Sequence, residues 1–252
     1  MSRHIPRSLQ KDPACASGGP IIPESSSRDF EEFIYLISHD VRASVRALIE
    51  LPQWICEDLE EAGLPISGTM REHIDLMNRH TGRLDRMLVD LLTYSRVGRM
   101  QHVGRIDLSE ALGEVMEEIK LPAGFTLIRG FDARHVVMGD RDVLTLLSAL
   151  VNNAIRHHDR DHGKVIVSAH AIRNEIVLRV RDDGPGIPEG YRQRVFEAMT
   201  TLRPRDEVEG SGMGLAIVRK IATLYGGTAD VHENPDSRGT VAEVRLPLAR
   251  GN

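Results

Sequence analysis

The stretch Arg181-Asp182-Asp183-Gly184-Pro185-Gly186-Ile187 decides how the second half of this chain is interpreted. Asn152-Asn153 precedes it, and the run Gly210-Ser211-Gly212-Met213-Gly214 follows it. An acidic side chain beside two glycines can accept a hydrogen bond from an adenine edge while the backbone passes close to the base. An Asn amide oxygen suits a hard divalent cation, and glycines at a helix start offer free N–H groups to phosphates. One glycine pattern alone is weak, but three such elements in this order predict a nucleotide site.

Composition narrows the class of protein. The 252 residues can hold one large or two modest domains. A formal charge of -5 gives no basic face for nucleic acid, so we expect no nucleic-acid partner. Only Cys15 and Cys56 are present, which indicates a reducing compartment without a disulfide framework. No apolar run approaches the ~18 residues of a membrane span, and the N-terminus lacks a signal-peptide core, so we expect a cytoplasmic protein.

The first hundred residues divide into a leader and two helices. Residues 1–27 are rich in Pro, Gly and Ser, which predicts a flexible leader, with a docking peptide as the alternative. From Asp29, apolar residues recur in a heptad seam at Phe30, Phe33, Ile37, Val41, Ser44, Leu48, Leu51 and Ile55. Pro52 should kink or interrupt this helix. After Gly63-Leu64-Pro65, a second seam runs through Met70, Ile74, Met77, Thr81, Leu84, Leu88, Leu91 and Ser95.

Two heptad helices joined by a short turn predict a helical hairpin. A hairpin alone cannot bury its apolar stripe on all sides, so we expect a homodimer that forms a four-helix bundle. Residues 97–105 read as a linker.

Beyond the linker, helices and strand-like runs alternate. Helices are predicted at 108–119, with Ser109 as cap, at 140–158 and at 210–224. Strands are predicted at 125–128, 135–138, 164–171, 175–180, 228–232 and 240–246. The mixture predicts an α/β sandwich, so the chain as a whole belongs to the α+β class.

His39 lies between the seam residues Ile37 and Val41. Two steps along a 3.6-residue helix rotate by about 200°, so we expect the imidazole to point away from the seam toward solvent. Alone, such a histidine is an ordinary surface residue of a coiled coil. With a nucleotide site downstream on the same chain, it is a candidate nucleophile toward a γ-phosphate, and Asp40 can orient it and accept its proton.

These motifs together resemble those of the two-component sensor histidine kinases. Residues 38–43 (SHDVRA) resemble the H box, residues 150–158 (LVNNAIRHH) the N box, and residues 182–188 (DDGPGIP) the G1 box. Residues 195–197 (VFE) and 210–215 (GSGMGL) are similar to the F and G2 boxes, and 201–215 resembles the phytochrome-type subgroup. The resemblance covers roughly residues 28–248, and five motifs in order are specific to the family.

The resemblance implies a domain organisation and a set of roles. Residues 28–100 would be the dimerisation and histidine phosphotransfer hairpin, and residues 105–250 an ATP-binding domain of the gyrase, Hsp90, histidine kinase and MutL (GHKL) type. His39 would be the phosphoacceptor, assisted by Asp40. Asp182 would bind the adenine amino group, and Asn153 would ligate Mg²⁺ between the phosphates. The other implied nucleotide contacts are Arg156, His157, Gly184, Gly186, Gly210, Gly212, Gly214 and Leu215, with a flexible lid over 188–211. The alternative is that His157 and His158 are ordinary residues at a helix end, where they interact favourably with the helix dipole.

Three departures from the family pattern carry consequences. Ser44 stands where the family often has Pro, and Pro52 is an alternative site for the bend. Ala43 stands where a Thr or Asn holds an attacking water, so we expect weak phosphatase activity toward the partner. Ala149 replaces an Asn four residues before Asn153, which predicts a missing phosphate or metal contact and weaker nucleotide binding.

The function expected from the resemblance is an ATP- and Mg²⁺-dependent protein histidine kinase in signal transduction. It would autophosphorylate His39 as a phosphoprotein and pass the phosphoryl group to an Asp of a response-regulator receiver domain. Residues 1–27 are too short for a sensor domain, so the signal would arrive from a separate sensor protein, through the leader, or by a redox or ligand effect. The alternatives are a non-catalytic phosphotransfer or scaffold protein with a degenerate ATP site, and an ATPase or serine kinase of the same superfamily. Whether phosphate transfer runs within one subunit or across the dimer stays open.

Overall fold

The computed structural model describes residues 24–99, 101–202 and 210–248, with side chains from residue 41 onward within those ranges. It begins with two long helices, α1 (Glu24–Glu61) and α2 (Thr69–Arg96), which pack against each other as a hairpin. Gly63, at φ +70°, ends α1, and the Leu64 N–H donates to the Leu59 carbonyl across this turn, 2.9 Å apart. A glycine adopts this left-handed conformation without a Cβ clash, which explains the stop at this position.

Helix α1 runs through Pro52 without interruption, so the expectation of a break there is wrong. Proline removes one backbone donor and costs about 3 kcal/mol inside a helix. Pro52 is buried, and the continuous contact of α1 with α2 offsets that cost. The helix also begins at Glu24, before the predicted start at Asp29, while the rest of the predicted leader lies outside the described residues.

The two predicted seams behave differently. In α2, Ile74, Leu88 and Ser95 of the predicted seam are buried, whereas Met70, Met77 and Leu84 are exposed. In α1, the described seam residues are exposed, whereas Val45 is buried. The exposed members are Val41, Ser44, Leu48, Leu51 and Ile55. A single chain therefore leaves an apolar stripe along α1 uncovered.

The second domain is a two-layer sandwich. Its strands are β1 (Val103–Asp107), β2 (Gly124–Phe131), β3 (His135–Gly139), β4 (His162–Ile172), β5 (Glu175–Asp182), β6 (Thr228–Glu233) and β7 (Thr240–Pro247). Its helices are α3 (Leu108–Glu118), α4 (Asp140–Arg156) and α5 (Gly214–Leu224), and 3₁₀ turns occupy Glu189–Tyr191 and Arg194–Phe196. The main sheet has the order β2-β4-β5-β7-β6, parallel only between β2 and β4.

The core of the sandwich lies between this sheet and the three helices. Leu146, Leu147 and Leu150 of α4 and Ile221 of α5 are fully buried against Leu178 and its neighbours in the sheet. The predicted α/β sandwich is therefore confirmed. Strand β1 was missed, because Val-Gly-Arg-Ile-Asp is short and half charged, and it pairs with β3 outside the main sheet.

The helix after β1 is capped by Asp107 rather than by Ser109 as predicted. The Asp107 carboxylate accepts from the backbone N–H groups of Ser109 and Glu110, at 2.7 and 3.2 Å. These bonds satisfy two of the free donors at the start of α3.

A buried polar network fastens the segment between hairpin and sandwich. The Asp142 carboxylate in the first turn of α4 accepts hydrogen bonds from the Gly98 N–H, the Gln101 amide and the Tyr225 hydroxyl. The Tyr225 hydroxyl in turn accepts from the Gly139 N–H at 2.9 Å. Burial, followed by the Asp142 hydrogen bond, raises the pKa of Tyr225 to about 12. The segment is therefore pinned at the junction of β3, α4 and α5.

Candidate nucleotide-binding site

One large cavity opens beside the Asp182 turn, with a volume of about 770 Å³. Small-molecule sites commonly measure roughly 300–1,000 Å³, so a nucleotide is a suitable occupant. The cavity lies between α4, the turn after β5, the glycine run before α5 and the last turns of α2. Of the residues proposed from sequence, it is lined by Asn153, Arg156, His157, Asp182, Gly186, Gly210, Gly212, Gly214 and Leu215.

Asp182 ends β5 and is fixed at the cavity wall, with only 9% of the residue exposed. Its Oδ1 accepts from the N–H groups of Gly184 and Thr240, at 2.9 and 3.0 Å. Among the described residues nothing donates to Oδ2, so one oxygen is held by the backbone and the other stays available to a ligand. Burial is the largest influence on this carboxyl and raises the pKa of Asp182, while the two backbone bonds oppose it.

Two of the glycines proposed from sequence are required by close approaches. At Gly186, with φ +79°, a Cβ would lie 3.3 Å from the Gly239 carbonyl oxygen. At Gly212, with φ +73° and directly after the predicted lid, a Cβ would lie 2.7 Å from the Thr200 carbonyl oxygen. Any side chain at these positions would displace the backbone that forms the cavity wall.

Gly184 differs from the other proposed glycines, because it does not line the cavity. A Cβ at Gly184 would lie 3.0 Å from Asp182 Oδ1 and 3.3 Å from the His158 ring. Gly184 therefore packs against Asp182 and His158 and does not border the space where a base would lie.

The C-terminal half of α4 contributes the amide and basic residues of the site. Asn152 and Asn153 both line the cavity, and the Asn152 amide donates to the Ser148 hydroxyl at 3.1 Å. Arg156 and His157 end the helix and are exposed at the cavity rim. Ala149 also lines the cavity and presents only a methyl group there. The positive charge at this end suits phosphates.

The donor set is compatible with a magnesium ion held mainly by phosphates. The described residues contain no cluster of three or more His, Cys, Asp or Glu side chains that could hold a metal alone. Mg²⁺ in nucleotide sites takes few protein ligands and completes its shell with phosphate oxygens and water. The Asn153 amide oxygen fits such a role.

The hairpin forms part of the same cavity. Val89, Asp90 and Thr93 of α2 line it, and the Ser211 hydroxyl donates a short hydrogen bond to the Asp90 carboxylate. Lys220 of α5 also contacts α2. Its ammonium donates to the Tyr94 carbonyl at 2.8 Å and lies 4.3 Å from the centre of the Tyr94 ring. A carboxylate from α2 therefore lies against the glycine run.

His39 and Asp40 lie in α1, and their side chains are outside the described part of the structure. Residues 203–209 of the predicted lid are outside it as well. At the near end of the lid, Phe196 is buried in the core, with the Arg219 guanidinium 4.0 Å from its ring centre.

Sequence reasoning missed several residues that build the site. Thr240 supplies an N–H to Asp182, and the Asn234 amide donates to the Asp182 carbonyl at 2.8 Å. Gly239, at φ +121°, lets this loop approach, because a Cβ there would lie 2.1 Å from the Asp182 carbonyl oxygen. In the sequence, a glycine directly before a predicted strand at Gly239-Thr240 was a signal that this loop approaches another part of the backbone. Nothing in the sequence indicated Asp90, which reaches the site only through the packing of α2.

Comparison with known proteins identifies the class of domain that this fold and cavity define. Residues 139–250 match the family described as "Histidine kinase-, DNA gyrase B-, and HSP90-like ATPase". This segment is therefore similar to the ATPase domains of that family.

The whole chain has relatives among sensor kinases. The methanogenesis regulatory histidine kinase FilI of Methanothrix harundinacea (strain 6Ac) is 29% identical over 237 residues, or 89% of this chain and 25% of that protein. Cyanobacterial phytochrome A of Nostoc sp. (strain PCC 7120) is 24% identical over 210 residues, or 81% of this chain and 27% of that protein.

A solved structure of the histidine kinase ThkA in complex with response regulator protein TrrA shares the fold. Its TM-score is 0.61 at 21% identity, covering 90% of this chain and 65% of that one. The chain is thus a relative of the sensor histidine kinases, with a phytochrome among its relatives, which confirms the prediction from the motifs. The chain spans between 25% and 42% of the length of three curated relatives that it matches.

No helix in the described ranges is long and apolar enough to span a bilayer.

Proposed function

We propose that this protein is an ATP-dependent histidine kinase that phosphorylates His39 and passes the phosphoryl group to an Asp of a receiver domain. The observation that carries the proposal is the cavity of about 770 Å³, which combines the fixed Asp182 carboxylate, the α4 amides and the glycine run with one wall from α2. A nucleotide held there lies against the hairpin that carries the phosphoacceptor. The similarity to sensor histidine kinases supports the same function.

Base recognition rests on Asp182. With Oδ1 occupied by two backbone donors, Oδ2 accepts from the exocyclic amino group of adenine. Guanine presents a carbonyl oxygen at that position, so the same carboxylate repels it. Arg156, His157 and the N–H groups of Gly210, Gly212 and Gly214 bind the phosphates, with Leu215 packed at the start of α5.

Phosphoryl transfer follows from this arrangement. An unprotonated His39 ring nitrogen attacks the γ-phosphorus, the bond to the β,γ-bridging oxygen breaks, and ADP leaves with the electron pair. Asp40 accepts the proton from the other nitrogen of the attacking ring. Mg²⁺, when bound beside Asn153, neutralises phosphate charge in this step. A receiver Asp carboxylate then attacks the same phosphorus, and the P–N bond breaks.

A homodimer completes the hairpin. Leu48, Leu51 and Ile55 form an uncovered apolar row on α1, and neighbouring Trp54 is 51% exposed. A second copy packed against this row gives a four-helix bundle and removes the stripe from water. Trp54 is the sole tryptophan of the chain, so a blue shift of its emission with rising protein concentration, alongside sedimentation as a dimer, tests the assembly. Sedimentation as a monomer at micromolar concentration would contradict it.

The partner that receives the phosphoryl group is a response regulator, as the complex formed by the relative ThkA supports. The low cysteine content supports a cytoplasmic site of action.

The decisive experiment incubates the protein with γ-labelled ATP and Mg²⁺ beside His39→Ala. We expect acid-labile label on the original protein alone, with ADP binding to both measured by calorimetry. Label that survives acid would indicate a hydroxyl acceptor and a different kinase class. ADP binding without any label would point to a scaffold rather than a kinase, and equal labelling of His39→Ala would exclude His39 as the acceptor.

A further inference from the structure

His158 lies directly behind the nucleotide cavity and is enclosed by its surroundings. Its side chain is only 1% exposed, and its ring meets the edge of Phe125 at a centroid distance of 5.2 Å and an angle of 83°. Gly163 makes room for it, because a Cβ there would lie 2.7 Å from His158 Nε2. The alternative of an ordinary exposed residue at the end of α4 does not describe this histidine.

The hydrogen bonds of His158 define which ring nitrogen carries the proton. The Arg160 backbone N–H donates to Nδ1 at 3.1 Å, so Nδ1 presents its lone pair. The proton therefore resides on Nε2, which donates to Asp183 Oδ1 at 3.1 Å. The same Asp183 oxygen accepts the Lys164 N–H at 2.7 Å. The His158 ring and the Lys164 N–H thus hold the same Asp183 oxygen at the start of β4.

This arrangement braces the turn that carries Asp182. Asp183 follows Asp182 in the chain, and Gly184, whose N–H holds Asp182 Oδ1, packs closely on the His158 ring, which a Cβ there would approach to 3.3 Å. On the other side, Asn234 and Thr240 hold Asp182 from the β6–β7 loop. His158 is the side-chain contact that supports the turn from the α4 side.

We propose that His158 is a positioning residue that sets adenine selectivity by fixing the direction of the Asp182 carboxylate. The inference rests on the proposed function, in which Asp182 Oδ2 accepts from the adenine amino group. Without the ring, the turn at 182–184 loses the bond to Asp183 and the packing against Gly184, so the carboxylate can rotate out of the cavity. The general affinity for the diphosphate is unaffected, because His158 does not line the cavity.

The test compares ADP with IDP, which carries a carbonyl in place of the adenine amino group and cannot donate to Asp182. Calorimetric dissociation constants are measured for the original protein, His158→Ala, His158→Gln and Asp183→Ala. We expect the original protein to prefer ADP by roughly 10- to 100-fold, as one hydrogen bond to a charged group implies. In His158→Ala and Asp183→Ala, the ratio of ADP affinity to IDP affinity falls severalfold or more, while the IDP affinity itself stays within about twofold of the original.

Two further variants sharpen the result. Gln at position 158 can place its amide donor where Nε2 lies, so His158→Gln regains part of the ADP preference. His162 is the matched control, because it also pairs with an aspartate, Asp161 at 2.8 Å, but its side chain is 65% exposed. His162→Ala keeps the full ratio.

The outcomes separate the two proposals. An ADP-to-IDP affinity ratio that is the same in His158→Ala and Asp183→Ala as in the original protein would overturn the positioning role. Asp182 would then remain the adenine contact. An original protein that binds ADP and IDP equally would overturn the adenine assignment itself, and the positioning role with it.

Discussion

The hairpin and the sandwich differ in how much of their apolar surface one chain can bury. In the sandwich, three helices cover one face of the main sheet and form a continuous core. In the hairpin, Val45, Ile74, Leu88 and Leu92 are buried, but Leu48, Leu51, Trp54 and Ile55 remain exposed. Most of the nucleotide cavity is therefore built on a unit that buries its own core, and α2 of the hairpin adds one wall. The proposed phosphoacceptor His39 is carried by a unit that would gain stability from the second copy that we propose.

The largest effect expected is loss of the dimer when a charge enters the exposed row of α1. Leu48→Glu would bury an unpaired carboxylate in the bundle, so we expect the dimer dissociation constant to rise at least about 100-fold. ADP affinity should change little, because the sandwich does not depend on this surface. Sedimentation and calorimetry measure the two quantities.

Glu50→Lys is the matched control for the charge change. Glu50 is two residues along α1 and therefore faces the opposite side of the helix. A dimer disrupted equally by both variants would show that the row is not the interface.

A second prediction tests the nucleotide site through pH. Burial raises the pKa of Asp182, so this carboxyl takes up a proton at a higher pH than an exposed aspartate does. Since the protonated acid is a poorer acceptor for the adenine amino group, ADP affinity falls as the pH drops through the raised pKa. IDP carries the same titrating phosphates, so the ADP-to-IDP ratio isolates Asp182.

In Asp182→Asn the ADP-to-IDP ratio should be low and independent of pH. A ratio in the original protein that stays constant down to the pH of ordinary aspartate ionisation would contradict this account of Asp182.

A third prediction concerns how firmly the two regions are joined. Tyr225→Phe removes the donor to buried Asp142 and leaves the Gly139 N–H without its acceptor. We expect a loss of about 1–3 kcal/mol in the unfolding free energy of the sandwich, measured by urea denaturation. Tyr191→Phe, at an exposed tyrosine, should stay within about 0.5 kcal/mol. Equal unfolding free energies for the two variants would show that the hydrogen bonds of Tyr225 do not stabilise the sandwich.

The smallest effect expected is at the contact between the regions. Asp90 places a negative charge at the glycine run, where the phosphates of a nucleotide would lie. Asp90→Asn keeps a hydrogen-bond acceptor for Ser211 but removes the charge, so ADP affinity should rise by a few-fold, about 0.5–1 kcal/mol. Calorimetry measures the ADP affinity. Asp85→Asn is the control, because Asp85 also lies on α2 but does not line the nucleotide cavity. Unchanged or weaker binding in Asp90→Asn would show that the carboxylate does not oppose the nucleotide.

Much of the fold could be read from local signals. The heptad spacing predicted both long helices, and Gly63 predicted the turn between them, because a left-handed residue there requires glycine. The antiparallel pair of strands predicted at 164–171 and 175–180 and the last two strands were also expected. Strand β1 was not, because its pairing with β3 is non-local and its sequence alternates poorly. Nor was the continuity of α1 through Pro52, which depends on packing against α2.

The candidate site divides in the same way. The sequence by itself determined the order of the acidic-glycine turn, the asparagine pair and the second glycine run, because these chemistries depend on residue type and short spacing. Only the tertiary structure decided that Thr240 and Asn234 hold Asp182, that His158 braces its turn, and that Asp90 of α2 meets the glycine run. Those contacts join residues far apart in the chain, and their geometry follows from how the sheet and helices pack rather than from any local pattern.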